Sequence, residues 1–80
     1  MKVFLYALST CFYCQRTKKW FKENNVDFDF VDVDLQEGEE KQKLVDEVLA
    51  LTGDAKFPVV KIGDKHVVGY NEEKFKELLS

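Results

Sequence analysis

Eighty residues, 45% hydrophobic and 34% charged, supply one folded core and not two, and they are too apolar for a disordered chain. A net charge of −3 lacks the basic excess of a nucleic-acid binder. The N-terminal apolar run, Val3 to Leu8, is far shorter than a membrane span or a signal-peptide core. A single domain over residues 1–80 is therefore expected, monomeric, cytoplasmic and engaging neither nucleic acid nor membrane.

Val3-Phe4-Leu5-Tyr6-Ala7-Leu8 is continuously apolar, the pattern of a strand covered on both faces. Ser9 and Thr10 interrupt it and suit the cap of a following helix. From Phe12 to Asn24, Tyr13, Thr17, Trp20 and Phe21 recur at three- and four-residue spacing, which predicts an amphipathic helix. Asn24-Asn25 is its expected stop, because asparagine tolerates the left-handed conformation. Val26 to Asp34 alternates apolar and acidic residues, with a slip at Phe30-Val31. It predicts a second strand that points Asp27, Asp29, Asp32 and Asp34 outward. Strand, helix and strand in so short a span make a βαβ unit with parallel strands.

Acidic residues from Glu37 to Glu40 suit a helix start. Leu44, Val45, Val48, Leu49 and Leu51 mark the buried stripe of that helix, closed by Thr52-Gly53. Beyond the loop Asp54-Ala55-Lys56 and the dipeptide Phe57-Pro58, Val59 to Ile62 and Lys65 to Val68 flank Gly63-Asp64 as a hairpin. Asn71 is suited to cap a last helix, with Glu72 and Glu73 in its first turn and Phe75, Leu78 and Leu79 inward. The expected fold is α/β, β-α-β-α-β-β-α, a four-stranded mixed sheet with helices on both faces.

Both cysteines of the chain, Cys11 and Cys14, lie between the first strand and the first helix. A C-x-x-C in that position is either a thioredoxin-like redox motif or a metal clip. Thiol–disulfide exchange needs a thiolate nucleophile and a second thiol that resolves the mixed disulfide. Cys11 falls at the helix N-terminus, where backbone N–H groups and the macrodipole favour negative charge. Cys14 follows one turn later on the same face. Cys11 is therefore the expected attacking thiol and Cys14 the resolving one. A structural zinc site needs four ligands, and the only histidine, His66, sits in the hairpin, so no metal ligand is assigned. Arg16, Lys18, Lys19 and Lys22 form a basic helix side, with Lys56 a candidate neighbour. Such a run reads as a solvated face or as a steering surface for acidic partners and for the thiolate.

Cys11-Phe12-Tyr13-Cys14, Phe57-Pro58 and Val68-Gly69-Tyr70-Asn71-Glu72 together resemble the C-P-Y-C, T-V-P and G-G-[YC]-D-D motifs of the glutaredoxins, above all the short glutaredoxin-like redoxins of bacteria and archaea. The resemblance spans essentially the whole chain. It implies a thioredoxin-like fold and a dithiol oxidoreductase that acts on disulfide-containing proteins with no bound cofactor. It also implies a cis bond before Pro58, with Thr10, Phe12, Tyr13, Phe57, Pro58, Gly69, Tyr70 and Asn71 around the substrate. Phe12, Tyr13, Phe57 and Tyr70 are expected to surround Cys11, although Tyr13 and Phe57 equally suit a core role. Five positions depart from the family pattern. Ser9 and Thr10 stand where a basic residue is common, Phe12 replaces proline, Val68 replaces the first glycine, and Asn71 replaces an acidic residue. These departures count against glutathione as the reductant and toward a flavin- or ferredoxin-linked reductase. The alternatives are a glutathione-dependent glutaredoxin and an iron–sulfur carrier with a cluster bridging two chains through Cys11.

Overall fold

A continuous apolar strand must lie inside a sheet, and Val3–Ala7 (β1) does. In the computed structural model, which describes residues 2–79, β1 has a neighbour on each side in the order β2-β1-β3-β4. Asp29–Asp32 (β2) pairs with it in parallel, Phe4 opposite Asp29 and Ala7 opposite Asp32. Val59–Ile62 (β3) pairs antiparallel on its other side, Leu5 opposite Val60. The hairpin then adds Lys65–Val68 (β4) as the far edge, with Gly63 at φ 61° in the turn. Among the described residues three α-helices complete the fold: Phe12–Glu23 (α1), Gly38–Thr52 (α2) and Glu72–Leu79 (α3).

Strand side chains alternate between faces, so β1 feeds two cores. Val3, Leu5 and Ala7 join Val60, Ile62 and Val67 under α1 and α3, with Cys14, Trp20, Phe21 and Phe75. Tyr6 and Val59 face the other way, against Val48 of α2 and Val33. Phe57 packs against both clusters. The Tyr6 hydroxyl donates to Glu47 Oε2 at 3.0 Å, tying β1 to α2. Burial, and then that neighbouring carboxylate, push the phenol up to about 12.

Helix ends follow local chemistry. Asn24 caps α1 and Asn25 takes φ 56°, as the Asn-Asn pair predicts. Gly53 closes α2 in the left-handed region at φ 75°. Asn71 Oδ1 accepts from the Lys74 N–H at 3.1 Å at the start of α3, where Phe75 is buried and Leu78 and Leu79 pack against the first core.

Three expectations are corrected. The second strand is shorter than 26–34, because the chain leaves β1 after Asp32 and winds into a 3₁₀ turn, Val33–Leu35, that buries Val33 beneath α2. Asp32 and Asp34 do not point outward, since each has a partner near the cysteines. Leu49 stands off the buried stripe of α2 and is 41% exposed, while Leu44, Val45 and Leu51 pack inward.

Candidate functional site

The turn between β1 and α1 is built backbone first. The Cys11 N–H donates to the Leu8 carbonyl at 3.1 Å, and the Gln15 N–H donates to the Cys11 carbonyl at 3.1 Å, so the helix begins at this residue. Cys11 itself, and not Ser9 or Thr10, is the N-cap. It is extended at φ −84°, ψ 122°, and its sulfur accepts from the Cys14 N–H at 3.4 Å. The expected cap position is thus shifted to the thiol, which meets an otherwise unpaired helix N–H.

Ser9 has a different task. Its N–H donates to Asp34 Oδ1 at 2.7 Å and its hydroxyl to Asp34 Oδ2 at 2.5 Å, while its carbonyl accepts from Gln15 Nε2 at 3.0 Å. The two bonds from Ser9 hold the Asp34 carboxyl below the usual carboxylate range. A carboxyl whose folded value is lowered stabilises the fold above its unfolded value near about 3.9, and that contribution disappears as pH falls through the lower folded value. Asp34→Asn is accordingly less stable than the native protein at neutral pH, and the gap closes in acid. Urea unfolding of the two proteins from pH 7 to pH 2 checks this, and a gap that stays constant across the range contradicts it.

The two thiols differ sharply. Both are free, with Cys11 half-buried and Cys14 fully buried. Burial first, and then its hydrogen bond to Cys11, push the Cys14 thiol up to about 12. The Leu8 N–H, 3.4 Å from its sulfur, and the charge of Lys18 oppose that shift. One sulfur is therefore reachable at a helix start, and the other is a buried proton holder behind it.

Around the pair, Phe12 and Tyr13 are 67% and 57% exposed and meet edge-on at 5.4 Å, so neither is core. Phe57 and Tyr70 border the same apolar cluster as Cys11. The Phe57–Pro58 bond is cis, and the Pro58 carbonyl accepts from the Gly69 N–H at 2.7 Å, which joins the two distant motifs. Gly69 sits at φ 85°, a conformation that favours glycine. The Arg16 guanidinium lies 5.5 Å from the Tyr70 ring centroid. Thr10 is exposed beside Cys11. Asn71 is exposed too, but its side-chain oxygen is engaged as the α3 cap.

The basic side of α1 divides. Lys18 is not a solvated residue: it pairs with Asp32 at 3.0 Å, with side-chain exposures of 12% and 17%, and lies 4.2 Å from the Phe30 ring centroid. Lys56 pairs with exposed Asp54 at 3.8 Å. His66 is exposed on β4, and among the described residues no group of three or more His, Cys, Asp or Glu side chains is placed to hold a metal ion. Reading the residues alone named Lys18 within the basic helix side but missed its pairing with Asp32 and the bonds from Ser9 to Asp34. The available signal was a pair of acids flanking one apolar residue at the end of a strand, together with a serine and a lysine that bracket the cysteines.

The glutaredoxin family model matches residues 3–67. A glutaredoxin from Archaeoglobus fulgidus is 49% identical and superimposes with a TM-score of 0.93 over 98% of this chain and 85% of its own. Methanoredoxin from Methanosarcina acetivorans is 38% identical, again at 0.93, over 99% and 84%. A glutaredoxin-like protein from a rubredoxin operon of Clostridium pasteurianum is 29% identical over 94% of this chain and 93% of its own. With this match across a βαβ core, a capping Cys11 and a buried Cys14, the chain belongs to the glutaredoxin family of thiol–disulfide redox proteins.

Proposed function

We propose that this protein is a dithiol oxidoreductase that reduces disulfides in other proteins. The asymmetry of the two thiols carries the reading. Cys11, accessible and facing the Cys14 N–H, attacks a substrate disulfide. One substrate sulfur departs as a thiol and the other stays bonded to Cys11. Cys14 then attacks Cys11 Sγ, the Cys11–substrate bond breaks, and the second substrate thiol leaves. Two protein thiols are oxidised and one substrate disulfide is reduced, so electrons balance with no bound cofactor. A buried Cys14 that keeps its proton leaves Cys11 as the first nucleophile.

Exposed Phe12 and Tyr13 supply an aromatic surface beside the nucleophile for a protein substrate, with half-buried Phe57, Gly69 and Tyr70 completing it and the fully buried Pro58 holding the Phe57 backbone beneath. Re-reduction comes from a flavin- or ferredoxin-linked reductase rather than from glutathione, and the site of action is the cytoplasm. Support for the reductase is local: Val68 occupies a glycine position of the family motif, and Asn71 is already spent on the α3 cap. The experiment is to offer the Cys11–Cys14 disulfide to glutathione, to a thioredoxin-reductase type enzyme and to a ferredoxin-linked enzyme. Rapid reduction is expected from one of the two enzymes and slow reduction from glutathione. Robust turnover with glutathione alone contradicts the choice of reductant, and reduction by none of the three contradicts the oxidoreductase reading.

A further inference from the structure

Resolution demands something unfavourable of the molecule: a fully buried thiol has to become a thiolate inside an apolar cluster. We propose that Lys18 is a positioning residue for this step, its ammonium, held by Asp32, favouring the thiolate of Cys14 as that sulfur attacks Cys11. The inference rests on the oxidoreductase reading above and adds a residue to it.

Geometry supplies the first support. Lys18 lies one helical turn beyond Cys14, and side chains four apart share a helix face. A free lysine would extend into water, but this one is drawn in by Asp32 at 3.0 Å and sits against the Phe30 ring at 4.2 Å. Asp32 is itself fixed, being the last residue of β2 and opposite Ala7. A cation so shielded acts through a less screened medium than one on the surface.

The second support is the scarcity of rivals. Cys11 acts on Cys14 from the helix start and opposes its ionisation, and the Leu8 N–H from the end of β1 assists it. Among the described residues Lys18 is the one cation bearing on this sulfur, with Asp32 behind it on β2. The remaining neighbours in the cluster, such as Leu5, Ala7, Phe21 and Val60, are apolar. Once Cys11 is tied up in the mixed disulfide it no longer opposes the ionisation of Cys14, and Lys18 is the charge that remains. The step balances: the Cys14 proton passes to solvent, the Cys11–substrate S–S bond breaks as the Cys11–Cys14 bond forms, and the departing substrate sulfur takes up a proton. Lys18 keeps its own throughout.

The test uses the reduced native protein and dithionitrobenzoate, an aromatic disulfide that gives a coloured thiolate at each step. Attack by Cys11 releases the first thiolate, and attack by Cys14 on the mixed disulfide releases the second. In Lys18→Met the second release slows about tenfold, the equivalent of about one pK unit, and its pH profile moves to higher pH. Lys18→Arg keeps the charge and restores most of the rate. Because Lys18→Met leaves the half-buried Asp32 without its partner, Lys18→Met/Asp32→Asn is measured alongside, and it shows the same slow second release without an orphaned carboxylate. A second release unchanged by Lys18→Met overturns the inference, as does equal slowing of both releases with no rescue by arginine. Absence of a second release from the native protein overturns the oxidoreductase reading and this inference with it. Two normal releases that are indifferent to Lys18 overturn this inference alone.

Discussion

Cys11→Ser lowers disulfide reduction by on the order of a thousandfold or more while leaving the fold intact. The substitution isolates chemistry from structure unusually well. Cys11 is the N-cap of α1, and its sulfur accepts from the Cys14 N–H. Serine is among the best N-cap residues, so its hydroxyl takes over that bond and the helix start survives. What serine cannot do is form a disulfide with a substrate. Circular dichroism and thermal melting should match the native protein, while insulin-disulfide reduction falls to background. Substantial residual turnover contradicts Cys11 as nucleophile, because Cys14, buried and with its thiol pushed up to about 12, is a poor substitute.

Phe21→Ala has the largest expected effect on stability. Phe21 is fully buried, with Trp20, Phe28 and Phe75 rings at 5.7, 5.1 and 5.3 Å, so it joins α1, the approach to β2 and α3. Truncating such a side chain costs about 3–5 kcal/mol. A chain of this length has a total stability of only about 4–12 kcal/mol at typical per-residue values. The melting temperature is expected to drop by about 15–30 °C, and activity at moderate temperature falls with the folded fraction. A drop below about 5 °C contradicts Phe21 as the centre of the first core.

Most of the fold was legible because its signals are local. Unbroken apolar character marked β1 as the interior strand, Asn24-Asn25 and Gly53 marked helix ends, and Gly63-Asp64 marked the hairpin. The C-x-x-C at a strand-to-helix junction placed the thiols. What escaped was partnership across the fold. Alternation predicts which face a residue takes and not what waits there, so Asp32 and Asp34 read as solvated. Their partners Lys18 and Ser9 are 14 and 25 residues away. The helix cap escaped for a related reason. Ser9 and Thr10 have the better capping propensity, but the Ser9–Asp34 bonds commit Ser9 elsewhere and leave the position to Cys11. Likewise the exposure of Tyr13 depends on the packing of α1 as a whole, which spacing alone assigns to the buried side.

The division of labour between the thiols is the central claim, and covalent trapping tests it most directly. Cys14→Ser removes the resolving thiol, so a substrate disulfide attacked by Cys11 should remain attached. Intact-mass analysis and peptide mapping should find a stoichiometric adduct on Cys11 that dithiothreitol releases, and Cys11→Ser should give none. An adduct on Cys14 in Cys11→Ser, with none on Cys11 in Cys14→Ser, would contradict the assignment of roles.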